Sequence, residues 1–178
     1  MKTIVISYSL TGNNEALAIS IASKFAAEHI KITESKTRTV LTIILDILLN
    51  RIPRSNPSAA AVADKVRGNT LVLFVGPVWL GHVATPLRAY FKYFKDVLGQ
   101  YAFISISGGA LGPNKKLAGE LKKMVGKDPV AVINLYIADL LPPNPKPTSK
   151  DTQAYRLSRS DVERLTSTIM QTLRPTKN

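Results

Sequence analysis

Residues 2–14 read Lys2-Thr3-Ile4-Val5-Ile6-Ser7-Tyr8-Ser9-Leu10-Thr11-Gly12-Asn13-Asn14. Lys2–Ser7 is a short run rich in Ile and Val, the pattern of a strand buried on both faces. From Asn14 to Glu28 the chain carries Leu17, Ile21 and Phe25 at steps of four, with alanines between them. That spacing predicts an amphipathic helix. The loop Ser9–Asn14 therefore falls between the end of a strand and the start of a helix. Free backbone N–H groups and the positive end of the helix dipole meet at such a point, and an anion is stabilised there. Ser9, Thr11, Asn13 and Asn14 add short side-chain donors, and Gly12 lets the backbone come close to a ligand. The loop contains no Lys or Arg. An ordinary turn capped by Asn or Thr has the same composition, so alone the loop says only that an anion can sit there.

The same alternation continues along the chain. Ile30–Thr33 is a weak strand, and Thr39–Arg51 is a helix candidate. Ser58–Arg67 is a short Ala-rich helix that can end at Gly68. Thr70–Val75 is the clearest strand, bounded by Asn69 and Gly76. Thr85–Leu98 is a helix with Pro86 in its first turn. Tyr101–Ser105 is a strand, Asn114–Val125 a basic helix ending near Gly126, and Val130–Ile137 a strand. Leu141–Lys150, with Pro142, Pro143, Pro145 and Pro147, reads as a loop. The last helix carries the stripe Val162, Leu165, Ile169 and Leu173, with a capping box expected from Ser160 and Glu163 and a stop at Pro175. Five strands alternating with helices predict an α/β fold with parallel strands and right-handed crossovers. Ligands of such sheets bind at the carboxyl ends of the strands, where the strand order reverses. The length suits a single domain over residues 1–178.

Composition narrows the chemistry. With 45% hydrophobic and 20% charged residues the chain is globular in type, not collagen-like, mucin-like or disordered. The absence of cysteine excludes disulfides, iron–sulfur clusters, thiolate metal sites and a cysteine nucleophile. His29 and His82 are too few for a histidine-rich metal site. The first apolar stretch stops at Ser7-Tyr8-Ser9, too short for a signal-peptide core, so a cytoplasmic location is expected. The sequence shows no Gly-x-Ser-x-Gly, Walker or His-Glu-x-x-His motif. Twenty-four basic residues against 12 acidic ones give a formal charge of +12, which attracts phosphates, nucleic acid or an anionic membrane surface. Lys115, Lys116, Lys122, Lys123 and Lys127 form a basic face. No nucleic-acid motif or aromatic-interleaved basic strand accompanies them, so a solvated face is expected.

Two further loops follow strands. Gly76-Pro77-Val78-Trp79-Leu80-Gly81-His82 holds the only tryptophan. Its ring can stack on a planar ligand or cap the core. Ser107-Gly108-Gly109-Ala110-Leu111-Gly112-Pro113 allows close approach of backbone to a ligand, whose carbonyl edge its N–H groups can bond, or it is a flexible turn.

Taken in order, the three loops resemble those of the flavodoxins. Ser9-x-Thr11-Gly12-Asn13 is similar to their phosphate-binding loop. Gly76-Pro77-Val78-Trp79-x-Gly81 followed by Pro86 is similar to their loop beside the flavin ring, and Ser107-Gly108-Gly109 to their third loop. The resemblance implies a three-layer α/β sandwich with a five-stranded parallel sheet in the order 2-1-3-4-5. It also implies non-covalent FMN, with its phosphate on Ser9, Leu10, Thr11, Gly12, Asn13 and Asn14. The ring would lie between Pro77, Val78, Trp79, Leu80 and Gly81 on one side and Ser107, Gly108 and Gly109 on the other. Two departures stand out. The family often has Thr where this chain has Asn14, and often stacks a Tyr from the third loop, where this chain has no aromatic. One flavin face would then be open to substrate or covered by a partner chain.

Electron-carrier flavodoxins are typically acidic, and this chain has the opposite sign. Positive potential favours reduced flavin and attracts nicotinamide phosphates. The expected activity is an NAD(P)H-linked oxidoreductase of the quinone or flavin reductase type. The alternatives are a one-electron carrier fed by a protein donor, and a non-catalytic basic binding module with a vestigial flavin site. His82 beside the ring loop is read as a surface or structural residue, and no catalytic residue is assigned. The segment Thr39–Arg51 is apolar on nearly every side and shorter than the roughly 20 residues that span a bilayer. It must bury more than one face, against the sheet and a neighbouring subunit, or at a membrane surface beside Arg38, Arg51 and Arg54. A homodimer is expected.

Overall fold

Thr70–Val75 is buried along its whole length and forms the centre of the sheet. The computed structural model describes residues 2–34, 39–49, 51, 55–67, 70–109, 114 and 116–173. Five parallel strands, β1 (Lys2–Ser7), β2 (Glu28–Lys31), β3 (Thr70–Val75), β6 (Gln100–Ser107) and β7 (Ala131–Tyr136), lie in the order β2-β1-β3-β6-β7. Counting sheet strands alone, this is the expected 2-1-3-4-5. A two-stranded hairpin, β4 (Val78–Trp79) with β5 (His82–Val83), interrupts the count and was not foreseen.

Side chains alternate across the central strands because the strand period is two. Ile4, Ile6, Val72, Phe74, Tyr101 and Phe103 enter one apolar layer. Val5, Leu71, Leu73, Val75, Ala102 and Ile104 enter the other. Helices α3 (Ala59–Val62), α4 (Thr85–Phe94) and α5 (Leu117–Val125) cover the first layer, where Phe74, Phe91, Phe94 and Tyr101 form an aromatic cluster. Helices α1 (Asn13–Phe25) and α7 (Arg159–Leu173) pack on each other over the second. The three-layer sandwich follows from this two-sided burial.

Local signals explain the ends of several elements. Gly126, at φ 83, ends α5 as expected. The Ala-rich segment is one helical turn followed by a 3₁₀ turn, Ala63–Val66; Gly68 and Asn69 lie outside the described residues. The candidate helix over Thr39–Arg51 is α2 (Val40–Leu48), capped by Thr39 through Thr42. The helix expected to reach Leu98 ends at Phe94, and Leu98 N–H still bonds to the Phe94 carbonyl. The Pro-rich stretch runs into an unforeseen helix, α6 (Ser149–Ala154), capped by Thr148 and Asp151.

The capping box of α7 needs correction. Ser158 and Asp161 make it, not Ser160 and Glu163: Asp161 N–H donates to Ser158 Oγ, and Ser158 N–H donates to Asp161 Oδ2 at 3.0 Å. Tyr155 also donates to that carboxylate, while Glu163 pairs with Arg159. The Val162, Leu165, Ile169 and Leu173 stripe packs into the second layer; Pro175 lies outside the described residues.

Candidate functional site: a cleft at the carboxyl edge of the sheet

β1 and β3 are neighbours from which the chain winds in opposite directions, so the loops that follow them diverge. A cleft of about 740 Å³ opens there. Leu10, Thr11 and Asn14 line it from the first loop, Pro77, Val78, Trp79, Leu80 and Gly81 from the second, and Ser107, Gly108 and Gly109 from the third. Three segments distant in sequence thus share one site. Ser9, Gly12 and Asn13 are not among the lining residues, and Ala110 to Pro113 lie outside the described residues.

The first loop is built differently from its expected role. Gly12 sits at φ 91, a left-handed conformation suited to glycine, and starts α1 with no side-chain cap. The first-turn N–H groups of α1 thus face the loop without a capping side chain, the condition that favours an anion. Ser9 Oγ accepts the Gly12 N–H at 3.0 Å and shapes the turn. The two asparagines, expected as ligand donors, turn inward. Asn14 Nδ2 donates to the Ile106 carbonyl at 2.9 Å, and its Oδ1 accepts the Ile106 N–H at 3.0 Å. β3 has ended at that level, and the Asn14 amide takes its place beside β6. Asn13 does the same for the segment before α7: its Nδ2 donates to the Tyr155 carbonyl and its Oδ1 accepts the Leu157 N–H. Both are buried. Their side-chain amides are engaged by backbone groups and hold the loop, with Asn14 still lining the cleft.

The second and third loops brace each other. Val78 N–H donates to Ser107 Oγ at 2.9 Å, and Asn114 Nδ2 donates to the Gly81 carbonyl. Trp79 meets Tyr8 edge to face at a centroid distance of 5.7 Å. It is half-buried and lines the cleft, so it caps the core and walls the site at once. His82 lies outside the lining residues. Its Nδ1 is 3.3 Å from Glu120 Oε1, which also takes Arg88 Nη2 at 3.0 Å, while Arg88 Nε donates to the Val83 carbonyl. This cluster anchors the hairpin to α4 and α5, in keeping with a structural role.

The sequence reading missed several walls. Tyr136, the last residue of β7, supplies an aromatic that the third loop lacks. A Cβ at Gly109, which has φ 83, would lie 2.6 Å from Tyr136 Cβ, so only glycine lets the loop pass the ring. Its position at a strand's carboxyl end is the signal that could have found Tyr136. Ile43 and Ile44 of α2 close another side, and Thr152 and Gln153 of α6 a further one. No group of three or more His, Asp or Glu able to hold a metal occurs among the described residues.

These features fit FMN. A phosphate monoester can be held by N–H and hydroxyl donors at a helix start without a charged partner, and a planar ring suits a cleft with apolar and aromatic walls, of the size usual for a cofactor.

No protein-family model and no curated protein sequence matches the chain. Solved structures do. A flavoprotein from Lactobacillus acidophilus NCFM in complex with FMN aligns with a TM-score of 0.59 at 21% identity, over 75% of this chain and 92% of that one. The Trp repressor binding protein from Bacillus subtilis aligns with a TM-score of 0.58 at 14% identity, over 99% of this chain and 100% of that one. The chain has the flavodoxin-like fold. The three loops stand at the carboxyl edge of the sheet in the order read from the sequence, and Asn14, where the resemblance departs, bonds to the backbone of β6.

Proposed function

We propose that this protein binds FMN in the cleft and acts as an NAD(P)H-linked oxidoreductase that reduces a small acceptor, of the quinone or flavin type. The observation that carries the reading is the convergence of the uncapped start of α1, Trp79 and the Gly108-Gly109 turn on one cleft. The FMN complex among the similar structures supports the cofactor. Thr11 and the first-turn N–H groups of α1 would hold the phosphate, with Trp79 and Tyr136 as the aromatic walls around the ring. When bound, FMN supplies two-electron and one-electron redox chemistry, and the protein's part is to orient it, exclude water and set its electrostatics. The formal +12 charge supports reductase over carrier, because it draws anionic nicotinamide phosphates and favours the reduced ring.

The test starts with the absorption spectrum of the purified protein, expected to be yellow and to release FMN on denaturation. Anaerobic mixing of the loaded protein with NADH or NADPH should then bleach the flavin. Bleaching no faster than in buffer with either nicotinamide rejects the reductase and leaves the carrier.

A further inference from the structure

Of the nine large apolar side chains that stand exposed among the described residues, Leu41, Leu45, Leu48 and Leu49 lie on or just after α2, whose Ile43 and Ile44 line the cleft, and Leu10 and Leu80 line the cleft themselves. α2 lies there with Ile43 and Ile44 turned to the cleft, while Leu41, Leu45 and Leu48 are 66%, 41% and 74% exposed. Those three stand at i, i+4 and i+7, one continuous face of the helix. Leu49 extends it. Leu10 and Leu80, also exposed, line the same cleft from the first and second loops. Leu80 holds φ 49, an unusual conformation for leucine, at the turn of the hairpin. An apolar patch that gathers around one opening marks an interaction surface, whereas single exposed leucines do not.

Charge selects the occupant. Asp46 is the only charged residue within α2, and Arg51 follows it, exposed. In the sequence Arg38 precedes the helix and Arg54 follows. The chain as a whole is +12, so two copies repel each other while an anionic surface attracts either. Nine residues of helix rise roughly 13 Å, and no helix among the described residues is long and apolar enough to cross a membrane. A short helix with an apolar outer face, beside cationic residues, suits the plane of a lipid interface.

We propose that the outer face of α2, with Leu10 and Leu80, docks this protein peripherally on an anionic lipid membrane, with the mouth of the cleft toward the bilayer. The proposal is independent of what the cleft binds. The test is flotation of the purified protein with vesicles of phosphatidylcholine alone and of phosphatidylcholine mixed with phosphatidylserine. The bound fraction should be about tenfold or more higher on the mixed vesicles and should fall with added salt. The triple variant Leu41→Ser, Leu45→Ser, Leu48→Ser should lose binding while its circular dichroism and melting stay those of the parent, since all three side chains are exposed. Arg51→Glu should weaken binding without abolishing it. Absence of binding to mixed vesicles, equal binding to both compositions, or unchanged binding by the triple variant overturns the proposal. So does a dimer in light scattering that the triple variant converts to monomer, because a second copy then covers the face.

Discussion

Replacing Asn14 by alanine tests the central structural reading, that this side chain completes the sheet beside β6. Asn14 is 3% exposed and Ile106 2%, and the amide satisfies both the N–H and the carbonyl of Ile106. Alanine leaves two buried backbone groups unpaired, each costing about 1–3 kcal/mol. Water entering from the cleft offsets part of this, so the expected loss is about 2–4 kcal/mol. For a domain of this length that is a fall in melting temperature of roughly 4–16 °C. Urea unfolding of the ligand-free protein, followed by far-UV circular dichroism, measures it. Asn14→Asp sharpens the test: it keeps an acceptor for the Ile106 N–H but sets a second oxygen against the Ile106 carbonyl, and should be no more stable than the alanine variant at neutral pH. An alanine variant within about 0.5 kcal/mol of the parent refutes the reasoning, since a solvent-facing ligand donor is what would show so small an effect on the empty protein.

Gly109→Ala should cut FMN affinity about tenfold or more, because the left-handed backbone is strained by a side chain and the new Cβ drives Tyr136 from its place; fluorescence titration reads it, and unchanged affinity counts against the cleft geometry. His29, bonded to Ser7 Oγ at 2.8 Å, is held below its ordinary value of 6.5 chiefly by burial, with Glu15 opposing and Lys31 adding to the effect. A depressed folded value means that its contribution to stability is full above 6.5 and is lost as pH falls through the folded value; an NMR titration midpoint at or above 6.5 would contradict this. Hydrogen bonds from Ser158 and Tyr155 hold the Asp161 carboxyl down at about 2. Its contribution is present above 3.8 and disappears as pH falls toward 2, so Asp161→Asn should make the protein's stability less steeply dependent on pH across that window.

What could be read from the sequence was whatever rests on periodicity and on the chemistry of short loops. β1 and β3 are continuous apolar runs because both their faces are buried, and the final helix announced itself through a four-residue stripe. Each of the three loops alone has the composition of an ordinary turn; they were found because they follow three strands in the order of the flavodoxin loops. Directions were not legible. Asn14 looks the same in a sequence whether its amide meets a phosphate or a strand; only the end of β3 beside Ile106 decides. Ser158-x-x-Asp161 and Ser160-x-x-Glu163 are equal as motifs, and the hydroxyl of Tyr155 tips the choice to the first. Tyr136 was hidden inside an ordinary strand pattern, and α2 could not be seen as a wall of the cleft because its apolar residues point both ways.

The clamp made by Asn13 has a consequence in time. Its partners, the Tyr155 carbonyl and the Leu157 N–H, lie 142 and 144 residues further along the chain. On a ribosome, which delivers the chain from its first residue, the loop that is made first acquires its last support only when Leu157 has emerged. The turn at the start of α1 is therefore completed only after most of the chain has been made.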